Sequence, residues 1–338
     1  MNRRDFLKAA GAGLASFAAI PAAGQGAGQR PIGDQRVYSA GKYAIELDGV
    51  SAGWVHSADG GHASGDVVSE RIGTDNIVRK HLANVKYEDI TIQCGTGMSK
   101  AFYQWIQDSF DKKYSRKNGA IIMADYNYKE MSRVTFNQAL ISEIGFPALD
   151  AASKDAAKMT LKLIPEFTNR MMPSAGGASL AGKFPILAKV QKQWLPANFR
   201  LKIDGLEVPC SRVNKIEAIT VKQKVASTSL GTTRISQKEP ARLEYPNLVF
   251  MLPEVYAGDV YKWHEDFVIK GNSGAEKGGT LEYLTPDLGT VLFTLTFKNL
   301  GIFKCAPEKL ESSSDNIRRV KAEMYCEEIT FNYHASWA

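Results

Sequence analysis

The chain has 338 residues, room for about two domains at roughly 150 residues each. It is 44% hydrophobic and 23% charged with a mean hydropathy of -0.23, which excludes a disordered or fibrous polymer. The net charge of +6 is spread along the chain rather than gathered in a basic run, so no nucleic-acid or membrane patch is predicted. Four cysteines are too few for a disulfide scaffold.

The first element is an address. Arg3, Arg4, Phe6 and Leu7 precede a weakly apolar run from Ala9 to Ile20 and the small-residue segment Pro21–Gly24. This resembles a twin-arginine export signal over residues 1–24, and a run of about twelve apolar residues is too short to span a bilayer as a helix. Cleavage near Ala23 would remove three basic side chains and one acidic one, lowering the charge from +6 to +4. The signal predicts export of a folded chain to the periplasm or the cell exterior, with no transmembrane segment once it is removed. Residues 25–39 read as a flexible leader.

Beyond residue 40 the chain repeats once. Tyr43–Gly49 (YAIELDG) returns as Phe199–Gly205 (FRLKIDG), and Tyr87–Ile92 (YEDITI) as Tyr245–Phe250 (YPNLVF). Phe102–Trp105 returns as Val260–Trp263, Thr135–Leu140 as Thr296–Gly301, and Leu149–Ser153 as Leu310–Ser314. Five matches in order predict a tandem duplication: residues 40–170, a linker at 171–195, and residues 196–338. Alternation of Tyr43, Ile45 and Leu47, of Phe199, Leu201 and Ile203, of Met159, Leu161 and Leu163, and of Val320, Ala322 and Met324 predicts strands. Asp48-Gly49 and Asp204-Gly205 are expected to turn hairpins. One helix is expected per copy: Phe102, Trp105, Ile106 and Phe110 after a cap at Ser99, then Tyr256, Val260, Trp263 and Phe267. The fold class is therefore mainly β, two β-sandwich or barrel domains each with one flanking helix.

Candidate chemistry is sparse. Gly49–Gly53 (GVSAG) fits the nucleophile pattern around Ser51, yet a returning strand follows where an elbow needs a helix, so it reads as a hairpin turn. Gly95–Lys100 (GTGMSK) sits where phosphate loops sit but lacks the third glycine, and reads as a strand-to-helix connection. His56, Asp59 and His62 do not fix a tetrahedral metal geometry and read as exposed loop residues. Trp105 and Trp263 read as core rather than as a binding platform. Cys94, Cys210, Cys305 and Cys326 read either as small buried hydrophobes or as a disulfide formed after export. No catalytic, metal or cofactor site is expected, and the protein is not read as an enzyme.

Several segments resemble the phage tail tube protein family, the inner tube of contractile tails, which is similar in fold to the type VI secretion tube. They are Tyr43–Val50; Gly73–Tyr87, carrying Asp75, Asn76, Val78, Arg79, Lys80, Leu82 and Lys86; Ile90–Gly95; Trp105-Ile106; Arg116–Ile122; and Val134–Ala139. The resemblance covers about Lys42 to Thr168. The second copy departs from it between Val225 and Arg242, which lacks the Val-Arg-Lys core. The resemblance implies subunits whose long hairpin and loop reach neighbours, building rings that stack into a hollow tube. In the family six single-domain copies make a ring, so a tandem copy would need three chains. Asn76, Val78, Arg79 and Lys80 are then expected at ring-to-ring contacts. The partner is the chain itself, as a secreted filament; alternatives are a cytoplasmic phage or injection-system tube, a monomeric secreted binding module, or, more remotely, a hydrolase using Ser51.

Overall fold

Strands dominate because the alternating segments carry β-branched and aromatic residues on one face. In the computed structural model, which describes residues 41–71, 73, 77–172, 177–184, 194–229, 231, 233, 235–309 and 317–334, the elements run as follows. The first half contains β1 (Lys42–Leu47), β2 (Val50–Val55), β3 (Ser57–Gly60), β4 (Ala63–Arg71), β5 (Val78–Tyr87), β6 (Ile90–Cys94), α1 (Lys100–Phe110), β7 (Lys117–Ala124), β8 (Glu130–Phe146), β9 (Leu149–Asp150), β10 (Met159–Ile164) and β11 (Phe167–Met171). The second contains β12 (Phe199–Ile203), α2 (Glu207–Cys210), β13 (Lys215–Ile216), β14 (Ile219–Ser229), β15 (Ser236–Glu244), β16 (Leu248–Pro253), α3 (Gly258–His264), β17 (Lys277–Leu284), β18 (Val291–Pro307) and β19 (Arg319–Tyr333). The export residues Arg3, Arg4, Phe6 and Leu7, the assembly residue Asn76 and the repeat segment Leu310–Ser314 lie outside the described residues.

The main sheet of the first half runs β2-β1-β7-β8-β10-β6-β3, and that of the second runs β12-β17-β18-β19-β16-β13-β9. Neither order closes on itself, so the barrel alternative gives way to open sheets. Apart from β2 at one end and β9 at the other, the two orders correspond strand for strand. Irregularities correspond too. β7 and β17 each slip register one residue after a lysine, between Lys117 and Gly119 and between Lys277 and Gly279. β8 and β18 each hold one left-handed residue, Gln138 (φ 50) and Asn299 (φ 53), and each also bulges on both sides of it, at Met131 and Ser142 and at Leu292 and Phe303. Bulges bend a strand and re-aim its ends. In β8, seventeen residues long, the first part pairs with β7 and β11 while the last part pairs with β10 and β14.

Residues 39–338 form one compact unit with a single large core running through both halves. The helix α1 starts at Ser99, whose Oγ accepts from the Phe102 N–H, and it buries Phe102, Tyr103, Trp105, Ile106 and Phe110. Trp105 donates its indole N–H to the Ser115 carbonyl at 2.8 Å, and Trp263 donates to the Ala275 carbonyl at 3.1 Å. Both indoles thus pin a helix to the strand that follows it, and truncating either would cost about 3–5 kcal/mol. The opposite face of β1 and β7 is also apolar: Ala44, Ala120, Ile122 and Ala124 pack under Leu180 and Phe184, inside the segment read as a linker.

Two sequence expectations fail locally. Asp48 (φ 48) and Gly49 (φ 80) turn a two-residue hairpin, but at Asp204-Gly205 only the glycine is left-handed and the chain enters α2 instead. There Leu206 and Cys210 are buried beneath the sheet, which holds the chain in place of a returning strand. The second helix is not continuous from Tyr256 to Phe267. A 3-10 turn at Glu254–Tyr256 follows Pro253, then α3, then a π-helical turn at Glu265–Ile269 that buries Phe267 and leaves Val268 and Ile269 exposed.

Gly119 tests the close packing of β7. A methyl group there would stand 2.1 Å from the Glu46 carbonyl oxygen and 2.5 Å from the Phe136 ring, whereas at Gly279 the nearest atoms are 3.0 Å away. Gly119→Ala is expected to destabilise the protein by about 2–3 kcal/mol and Gly279→Ala by under about 1 kcal/mol, measured by urea unfolding.

Candidate assembly surfaces

Among the described strands the β4–β5 hairpin forms a separate two-stranded sheet, β4 and β5 pairing with each other. Val67 faces Leu82 across the ribbon, and both are more than half exposed. Lys86 and Asp66 make an exposed ion pair at 2.8 Å. A lone two-stranded ribbon is marginal in water, so apolar pairs on it mark a surface that gains from a partner. Val78, Arg79 and Lys80 lie on β5, exposed, opposite Arg71, Glu70 and Ser69.

The second long hairpin, β14–β15, has a partner. β14 adds to the edge of β8, with Ile219 opposite Phe146, Thr220 opposite Gly145, Val221 opposite Ile144 and Lys222 opposite Glu143. Beside it, β13 pairs with β9. Farther out, Arg116 of the first half holds the hairpin by an ion pair to Glu239 at 2.8 Å and a hydrogen bond to the Lys238 carbonyl at 2.8 Å. Glu166 accepts from the Lys238 N–H at 3.1 Å, and the Tyr114 hydroxyl reaches the Ala241 carbonyl at 3.4 Å. Beneath this lies an aromatic seam: Tyr103 stacks on Tyr333 at 4.3 Å, Phe110 on Phe331 at 5.7 Å, and Phe146 meets Phe293 at 5.8 Å. The two halves are therefore joined by shared strands, a charged clamp and a dry core. Residue spacing alone did not reveal this junction, because its partners lie far apart along the chain, by 122 residues for Arg116 and Lys238.

The remaining candidates fall elsewhere. Ser51 sits on β2 opposite Glu46, on a strand rather than at a strand-to-helix elbow. Gly95–Ser99 connects β6 to α1 as read. Asp59 belongs to β3 rather than to a loop, with exposed His56 and His62 beyond its two ends; among the described residues no three His, Cys, Asp or Glu side chains gather as a metal site would need. Trp105 and Trp263 are core. No helix among the described residues is long and apolar enough to cross a membrane.

All four cysteines are free thiols, so the disulfide alternative is not realised in this structure. Burial disfavours the thiolate, raising Cys94 and Cys210 to about 12 and Cys305 and Cys326 to about 11.

Residues 39–167 match the model of the T4-like virus tail tube protein gp19 family, the same stretch as the resemblance from Lys42 to Thr168. The first half of the chain is thus tail-tube-like. No curated protein matches the chain. Among solved structures, the chain is similar to the anti-feeding prophage tube-terminating cap, at 18% identity over 43% of this chain and 97% of that one (TM-score 0.37). It is similar to a chain of the PVC sheath-tube complex of an extracellular contractile injection system in the extended state, at 17% over 41% and 94% (TM-score 0.36). It is also similar to Hcp1 from Flavobacterium johnsoniae, at 13% over 40% and 95% (TM-score 0.25).

Each thiol titrates higher in the folded chain than when unfolded, so its contribution to stability is full below about pH 8.5 and is lost as pH rises toward 11–12. Ellman's reagent at pH 8 is expected to label the native chain far more slowly than the urea-unfolded chain, with Cys94 and Cys210 slower than Cys305 and Cys326. Equal rates would refute this burial.

Proposed function

We propose that the chain is a structural tube-type subunit, a tandem duplication of a tail-tube-like domain of which three copies close a ring of six similar halves and stack into a hollow tube. The observation that carries this reading is the family match over residues 39–167, set beside a second half that repeats its strand order and its bulges. The internal junction supports it, because there one half already completes the sheet of the other. Val78, Arg79 and Lys80 on β5, with Asn76 just before them in the sequence, carry the contacts between stacked rings.

The subunit is further proposed to be exported folded by the twin-arginine route and to polymerise outside the inner membrane. Arg3-Arg4-Asp5-Phe6-Leu7 and the mild apolar run that follows support this. A second reading, the inner tube of a phage tail or contractile injection system assembled in the cytoplasm, is favoured by the viral tail tube family that residues 39–167 match.

Negative-stain electron microscopy of the purified chain over a concentration series is expected to show rings with a central channel, and native mass spectrometry three chains per ring. A monomer at every concentration would favour a secreted binding module instead. Replacing both Arg3 and Arg4 by Lys is expected to abolish export in a cell-fractionation assay; unchanged distribution would favour the cytoplasmic tube.

A further inference from the structure

The internal junction has two surfaces, and each recurs in the other half of the molecule with no described strand laid across it; there the Glu276 carboxylate accepts from the Tyr325 hydroxyl and Glu327 from the Asn299 amide. Matching register fixes the correspondence. The two long hairpins slip at equivalent places, between Gly65 and Val67 and between Gln223 and Val225, so each residue of β4 and β5 answers to the one 158 positions later. The bulges at Ser142 and Phe303 make Glu143–Phe146 answer to Lys304–Pro307. Along Lys304–Pro307, β18 pairs with β19 on one side and with no described strand on the other. The segment answering to the β14 residues that fill the first edge is Gly61–Ser64; its Ala63 and Ser64 pair with β5 on one side only.

The clamp charges answer in reverse, while the carboxylate beside them is kept. Arg116, just before Lys117, corresponds to Glu276, just before Lys277, and Glu239 corresponds to His81; Glu166 corresponds to Glu327, unchanged. The ion pair within the hairpin also inverts, Lys224–Glu244 at 3.2 Å becoming Asp66–Lys86. β5 thus carries Arg79, Lys80, Lys86 and the histidine His81 with no acidic residue, where β15 balances Lys238 and Arg242 with Glu239 and Glu244.

We propose that the chain closes head-to-tail on a second copy of itself through a charge-reversed counterpart of its internal junction. In this contact the free edge at Lys304–Pro307 of one copy takes the His62–Ser64 segment of the next. The basic β5 of that copy then lies over Glu276 and Glu327, and Ala63 stands opposite Cys305 as Val221 stands opposite Ile144. Tyr261, at the place of Tyr103, then meets exposed Met172, at the place of Tyr333, and exposed Val268, at the place of Phe110, meets Arg170, at the place of Phe331. Because these apolar groups are smaller than the aromatic seam, charge carries more of the contact. His81 belongs to the neighbour within a ring, which leaves the hairpin tip for stacking. The proposal rests on the tube reading for the number of copies.

The test uses the full chain carrying Ala63→Cys, oxidised with copper phenanthroline and run on non-reducing gels. Covalent species of two and three chains are expected, and their loss when Cys305→Ser is added. Rings that persist by microscopy without a Cys305-dependent cross-link would overturn this junction and leave the tube reading standing. A chain that stays monomeric would overturn both. In parallel, His81→Glu is expected to raise the concentration of half-assembly about tenfold, and adding Glu276→Arg, which recreates the Arg116–Glu239 pair between copies, to restore it. Failure of the double variant to restore assembly, with thermal unfolding unchanged, would overturn the charge reversal.

Discussion

A strand edge with unpaired N–H and C=O groups has to be covered, and this molecule is arranged around that constraint. The end of β8 is such an edge, and β14 covers it with four residue pairs. The length of β8 follows from the same need. Its first part serves β7 and β11, its bulge at Ser142 redirects the chain, and its last part carries β10 on one side and the incoming hairpin on the other. The aromatic seam and the Arg116 clamp then fill and lock a contact that the backbone has already placed in register.

The internal junction and the one proposed between copies face different thermodynamic conditions. The internal one is intramolecular, so tethering sets a high effective concentration and little translational freedom is lost. It can tolerate a dry aromatic interface, with Phe146, Phe110 and Tyr103 against Phe293, Phe331 and Tyr333, which never has to stand exposed in water. The outer surfaces do stand in water, and a large aromatic patch there would invite indiscriminate association. Val268, Met172 and Pro307 in place of three of those rings, and Glu276 in place of the arginine, keep the outer surfaces less apolar while leaving them complementary in the proposed contact.

Local order was readable where it depends on residues close in sequence. The alternation of Met159, Leu161 and Leu163 gave β10, and Ser99 with Phe102, Trp105, Ile106 and Phe110 gave α1 with its cap. The turn at Asp204-Gly205 was not readable, because burial of Leu206 and Cys210 beneath the sheet overrides a hairpin signal that works at Asp48-Gly49. Nor was the π-helical turn at Glu265–Ile269, since the spacing of Val260, Trp263 and Phe267 is the same in an unbroken helix. The internal junction is legible only in three dimensions. Ile144 and Val221 look like any strand residues until the fold sets them side by side.

A head-to-tail contact that repeats generates a ring only if its rotation closes, and an open helix otherwise. In the proposed ring the rotation between neighbours is set twice, once by the covalent chain and once by the contact between chains. If both junctions place the same strands in the same register, each turns the next half by the same angle, and every second junction is already built into the chain. The reversed charges add a rule of order: a basic first-half hairpin faces Glu276 and Glu327 on a second half, whereas against Arg116 on a first half it would meet like charge. In the proposed ring first halves therefore follow second halves and never one another. One chain would thereby carry both the geometry of the repeating contact and the alternation that keeps it in step.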